Sequence, residues 1–238
     1  MAMPSLLLLL ADGRFPAGAH AHSGGLEAAV AAGRVTDLAS LEAFLAGRLA
    51  TAGLVGAAFA AAAHRAAMPG TVGAGESAGT ATLATTLAQL DVELDARTAA
   101  PTLRTISRRQ GRALLRAGRA IWPDAPFGDL PTTPGGAHQP LVLGLLCAAA
   151  GLSRLDTATV AAYGTVTGAA SAGVRLLGLD PYQVQALLVG LADACDGTAA
   201  DAARTADGPP ERLPAAAAPL ADIHAEIHAT WEVRLFAS

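Results

Sequence analysis

Several groups of residues in this chain have types and spacings that suit chemistry. Gly75-Glu76-Ser77-Ala78-Gly79 has the G-x-S-x-G pattern, in which a strained strand-to-helix turn exposes a nucleophilic serine. The residues before it, Met68 to Ala74, have loop composition, and no set of parallel strands is available to hold such a turn. A serine hydrolase at Ser77 is therefore a distant alternative. His22-Ser23-Gly24-Gly25 has the composition of an oxyanion loop and fails on the same ground. His224-x-x-x-His228 places two imidazoles on one helix face, with Glu226 on another, and His20-x-His22 is a second pair. Each pair falls short of the ligand set of a metal site. Arg104, Arg108, Arg112 and Arg116 recur every fourth residue, with Arg109 and Arg119 beside them and no acid between Thr102 and Arg119. Such a stripe suits phosphate, an acidic partner, or a solvated face paired with Asp91, Glu93 and Asp95 of the preceding helix. No P-loop is present. Cys147 and Cys195 are too few for a disulfide framework and read as buried small hydrophobes.

Elements that would position these groups follow from composition and punctuation. Of the 238 residues 52% are hydrophobic, 4% aromatic and 15% charged. All basic residues are arginine, and alanine is the commonest residue. Alanine loses no side-chain entropy in a helix, whereas strands draw on aromatic and β-branched residues, so an all-α fold is expected. The net charge of −4 argues against a dedicated nucleic-acid binder. Leu6 to Leu10 lack the basic flank of a signal peptide, and the apolar stretch Leu49 to Ala63 is short for a membrane span, so a cytoplasmic protein without membrane contact is expected.

Glycine, proline and capping residues divide the chain into about eight to ten helices in one domain, 1–238. Ser23 suits a cap for a helix ending near Gly33, and Thr36 or Asp37 for the next, which Gly53 and Gly56 should interrupt. Helices are expected over Thr82–Ala96, Pro101–Ala120, Gln139–Ala150, Asp156–Leu177, Pro181 to about Arg204, and Leu220 to about Trp231. Between them lie expected flexible segments 69–80, 122–136 and 205–219, and a tail 232–238. The helix Asp156–Leu177 carries no charge before Arg175 and contains Gly164-x-x-x-Gly168. It reads as a central, small-residue-rich helix open to close approach by a neighbour or a second subunit.

One family resemblance runs along the whole chain. Phe15 to Glu27 resembles the amino-terminal signature L-P-x-G-G-F-S-Y-S-x-G-L-E of the urease accessory protein UreF family, with Pro16, Gly18, Ser23, Gly25, Leu26 and Glu27 in register. Ser107 to Leu114 is similar to the family's arginine helix, and His138-Gln139-Pro140 with Gly144 to its H-x-P-x-x-x-G segment. Ala172 to Leu176 resembles its A-A-V-R-L helix end, and Arg234-Leu235-Phe236-Ala237-Ser238 its R-L-F-x-S terminus. His20, Ala21 and His22 stand where the family has Phe, Ser and Tyr, and Gly178 and Asp180-Pro181 also depart from it.

The resemblance implies an all-helical protein, often a homodimer, without catalysis or a tightly bound cofactor of its own. It implies docking on a UreD-type (also called UreH-type) accessory protein and recruitment of a UreG-type GTPase. That assembly would couple GTP hydrolysis to delivery of nickel into apo-urease. The partner-binding residues it implies are Pro16, Gly18, Ser23, Gly25, Glu27, Arg108, Arg112, Arg175, Arg234, Leu235 and Phe236, with no metal ligands. The glycine-rich signature and the tail are expected to order only on the partner. An independent nickel- or zinc-binding protein using His20, His22, His224 and His228 is the alternative.

Overall fold

The computed structural model describes residues 4–16, 19–68 and 82–237. Gly18, the segment 69–80 with Ser77, and Ser238 lie outside them. The described residues contain eleven α-helical segments and no strand. These are α1 Pro4–Ala11, α2 Leu26–Ala31, α3 Leu38–Arg48, α4 Leu54–Ala67, α5 Leu83–Arg97, α6 Pro101–Ile121, α7 Gln139–Ala149, α8 Arg154–Leu177, α9 Pro181–Gly190, α10 Ala192–Thr205 and α11 Pro219–Ala229. A π-helical turn, Leu49–Gly53, joins α3 to α4, so ten separate rods result.

Local signals explain most starts. Asp37 and Ser40 form a reciprocal capping box on α3, and Ser153 and Asp156 form another on α8. Pro101, Pro181 and Pro219 occupy first-turn positions, where a missing N–H costs nothing.

The core is centred on α4, which packs against α7, α8 and α10. Every residue from Ala57 to Ala63 of α4 is buried, with Phe59 the only large side chain among them. Such a run lets neighbours approach to backbone distance, and Gly144 of α7 exploits it. A Cβ at Gly144 would overlap the Ala60 carbonyl oxygen and lie 2.7 Å from the Ala63 Cβ. The core helix is thus α4 rather than α8 alone. By length and composition, Leu38–Ala67 is also apolar enough to cross a membrane.

Four expectations change in detail. Gly53 and Gly56 do not interrupt the second helix, because the π turn absorbs Gly53 and the rod continues. The expected helix from Pro181 to Arg204 breaks at Leu191, whose side chain turns inward and redirects α10 onto α4 and α8. On α8, close approach occurs at Gly173, against Leu41, while Gly164 and Gly168 face open space. The segment 205–219 is fastened: the Arg97 guanidinium donates to the carbonyls of Glu211 at 3.0 Å, Leu213 at 3.2 Å and Pro214 at 3.1 Å.

Candidate functional site

Two polar centres and one groove are built on this frame. The first centre joins α5, α6 and the segment before α7. Asp91 and Asp95 stand one helical turn apart on α5, facing Arg108 of α6. Arg108 Nη1 and Nη2 donate to the two oxygens of Asp91 at 3.2 and 2.8 Å, and Nη2 also donates to Asp95 at 2.8 Å. Nη1 reaches Thr133 Oγ1 at 3.0 Å and the Gly136 carbonyl at 2.5 Å. His138 is fully buried, with Nε2 at 2.8 Å from Asp95 Oδ1 and Nδ1 at 2.9 Å from Ser107 Oγ. Gly111 makes the crossing possible, since a Cβ there would overlap the Ala137 carbonyl oxygen.

Charge in this centre is balanced internally. Burial alone would raise the Asp95 pKa, but hydrogen bonds from His138 and Arg108, with the Arg108 charge, hold it below the usual carboxylate range. Burial lowers the His138 pKa. A neutral imidazole donating from Nε2 to Asp95 and accepting at Nδ1 from Ser107 fits all partners. Among the described residues, Asp91, Asp95 and His138 are the group whose three ligand atoms lie within 4.8 Å of one another. The guanidinium already occupies both carboxylates. Arg108 is therefore a buried structural residue, a correction to the solvated stripe. Arg109, Arg112, Arg116 and Arg119 remain on the surface, with Arg112 donating to the Gly135 carbonyl.

The second centre gathers residues separated by about the whole chain. Ser23 Oγ accepts from the Glu27 amide at 3.2 Å and holds the start of α2. Gly24 and Gly25 precede it at φ of 64° and 89°, a left-handed turn that glycine adopts without a Cβ clash. The buried Glu27 carboxylate receives His228 Nε2 at 2.9 Å and the amides of Leu235 and Phe236 at 2.8 and 3.0 Å. The Ala237 amide donates to the Ala21 carbonyl at 2.7 Å. Arg175, closing α8, lies over the Phe236 ring at 4.3 Å and donates to the His20 carbonyl at 3.3 Å. Burial works to raise the Glu27 pKa, and the Leu235, His228 and Phe236 hydrogen bonds overcome it, lowering the pKa.

The tail therefore packs on its own chain, a second correction. Phe236 is 4% exposed, whereas its neighbour Leu235 is 74% exposed. Ser23, Gly25, Glu27, Arg175, Leu235 and Phe236 meet here; Pro16 is exposed nearby in sequence, and Arg234 lines the adjacent groove. Arg108 and Arg112 belong to the other centre. Exposed apolar residues continue from this latch along α11 and the tail: Leu220, Ile223, Ile227, Val233 and Leu235. His228 is committed to Glu27 and packs tilted against the Trp231 ring, with centroids 4.7 Å apart. His22 and His224 line the groove, while His20 is exposed. Both cysteines are buried, and burial pushes the Cys147 thiol up to about 12.

These features define an all-α protein that spends buried charge on internal ties and leaves an apolar ridge beside a folded-back tail. A UreF family model matches residues 35–192. Over 238 residues, all of both chains, the sequence is 42% identical to the urease accessory protein UreF of Mycolicibacterium vanbaalenii and 44% identical to that of Mycobacterium sp. strain JLS. It is 44% identical over 202 residues to the Mycobacterium tuberculosis H37Ra protein of the same name, covering 85% of this chain and 86% of that one. The chain belongs to the urease accessory protein UreF family.

Proposed function

We propose that this chain is a non-enzymatic urease accessory protein. It acts as an adaptor that, with a UreD/UreH-type accessory protein and a UreG-type GTPase, couples GTP hydrolysis to nickel insertion into apo-urease. The observation that carries this reading is the apolar row Leu220, Ile223, Ile227, Val233 and Leu235, which runs along α11 into a tail fastened by Glu27. Family membership supplies its context. Interface cores are more apolar than the rest of a protein surface, and a row of apolar side chains on one helix suits a groove or helix of another protein.

In this reading the UreD/UreH-type protein docks on the α11 and tail surface, with Pro16 and Arg234 at its edge; Gly18, implied as a further contact, lies outside the described residues. Ser23, Gly25, Glu27, Arg175 and Phe236 hold that surface in shape. The GTPase contacts the exposed arginines of α6, Arg112 foremost, while Arg108 anchors the helix from within. A homodimer would use the outward face of α8 at Gly164 and Gly168. The protein works in the cytoplasm, nickel is cargo of the assembly, and no cofactor is held by this chain.

Co-purification tests the reading. Tagged protein should retain the UreD/UreH-type and UreG-type proteins of the same cells, and Ile227→Asp with Leu235→Asp should release them and abolish urease activation. Retention of both partners by the double variant would refute this docking surface.

A further inference from the structure

Arg48 stands apart from the other buried guanidinium described above. It ends α3, at the start of the π turn, and one of its five N–H donors reaches the Gly24 carbonyl. The guanidinium lies close against the glycine turn, so that a Cβ at Gly24 would sit 2.8 Å from its Cζ. Its Nε is sealed from solvent and has no hydrogen-bond partner. No carboxylate pairs with it among the described residues, and the Phe44 ring lies 6.0 Å away. Burial lowers its pKa to about 10, which leaves it charged at neutral pH. A half-buried charge without a counter-charge is unusual, because desolvation is normally repaid by a partner.

Arg48 faces a groove of about 280 Å³ between α2, the α3–α4 rod, α6 and α11. One turn and two turns further along the rod, Ala52, Val55 and Gly56 continue the same face into that groove, opposite Ala28, Leu103 and Ile106. Asp222 is the one carboxylate along its lining, and Arg97, already tied to Glu93, and Arg234 are its other arginines. The groove thus pairs an apolar wall with an unspent cation that offers planar, forked donors. The π turn that begins directly after Arg48 is a feature often found at functional sites.

We propose that this groove is a binding site for a carboxylate carried on a small apolar body. The carboxylate lies on the Arg48 guanidinium and the apolar body lies along Ala52 and Ile106. Two sources share this chemistry, a free short-chain acid and a Glu or Asp side chain of a protein partner. The groove borders the α11 row but contains none of its five apolar residues, so butyrate binding is read separately from that docking role.

The test uses the full chain and sodium butyrate, with butyramide as its neutral counterpart at constant chloride. Calorimetry, with NMR shifts of the Gly24 and Gly25 amides, reads binding. Butyrate is expected to bind with a dissociation constant on the order of 1 mM, as suits so few atoms, and butyramide at least tenfold more weakly. Arg48→Met should lower butyrate affinity at least tenfold. Ala52→Phe, which fills the groove and keeps the cation, should lower it as much, so loss does not hinge on how Arg48→Met folds. Equal binding of butyrate and butyramide, or unchanged butyrate affinity in both variants, overturns the site, as does no binding by the wild-type chain up to 50 mM, about fifty times that constant. Where the site holds, the source is read by co-purification. Release of a partner by Arg48→Met and by excess butyrate assigns a protein carboxylate, and retention in both cases assigns a free acid.

Discussion

The α5–α6–α7 centre and the α2–α11 edge use the same residue types to opposite ends. In the first, Arg108 meets two carboxylates, a hydroxyl and a carbonyl, and His138 has both ring nitrogens engaged. In the second, Glu27 holds a tail by two backbone amides and one imidazole, and Arg48 close by has one carbonyl. A saturated centre resists rearrangement because every alternative leaves a buried group unpaired. An edge fastened through backbone amides of a terminal segment can be opened at the cost of a few hydrogen bonds. The first region is built for stability, and the second is where the proposed partner contact falls.

The largest effect should come from breaking the saturated centre. Arg108→Ala leaves Asp91 buried without its counter-charge and should cost about 3–5 kcal/mol. At roughly 2–4 °C per kcal/mol for a chain of this size, thermal unfolding should begin some ten degrees lower. An unchanged melting temperature would remove the centre from the stability account. Gly111→Ala should follow, at about 1–3 kcal/mol, because the new methyl meets backbone rather than a side chain that can swing away.

Opening the latch should be milder globally and clear locally. Glu27→Gln keeps the shape but loses the charge that strengthens its bonds to Leu235, Phe236 and His228, so limited proteolysis should cut residues 230–237 faster while global stability falls by about 1–2 kcal/mol or less. Its pH dependence has a definite sign. The Glu27 pKa in the folded chain lies below its ordinary value of 4.5, so the contribution is complete above about that pH and is lost as pH falls through the lower folded value. Tail protection that persisted unchanged to pH 3 would contradict the role of the carboxylate.

The smallest effect concerns histidine. Burial lowers the pKa of both His64 and His138. Each is neutral in the folded chain where the unfolded chain already binds a proton. Stability should therefore decline as pH falls through about 6.5 and level off below the folded values. His138→Gln should remove part of that slope in urea titrations between pH 7 and 5.

Much of the helical frame is readable from periodicity and caps. Asp37 and Pro101 mark starts where the structure has them, and the arginines of α6 already face acids of α5 in sequence. The misreadings have local causes. Gly53 lowers helix propensity, yet the π turn packs its bare Cα against Leu49 and Thr165 side chains. Leu191 is as apolar as its neighbours, and only tertiary packing shows that the chain bends there. The candidate sites were less legible. Glu27 and Phe236 stand 209 residues apart, and no spacing rule connects them. Which arginine of the α6 stripe turns inward depends on where α5 crosses. The isolation of Arg48 is a missing contact, and sequence carries no signal for that.

Hydrogen exchange of the chain alone and mixed with the proposed UreD/UreH-type protein tests the central division of labour most directly. Binding should add protection over 219–237 and 20–28 and leave 88–112 and 133–140 unchanged. New protection confined to the Arg108 centre, with none along α11 and the tail, would contradict it.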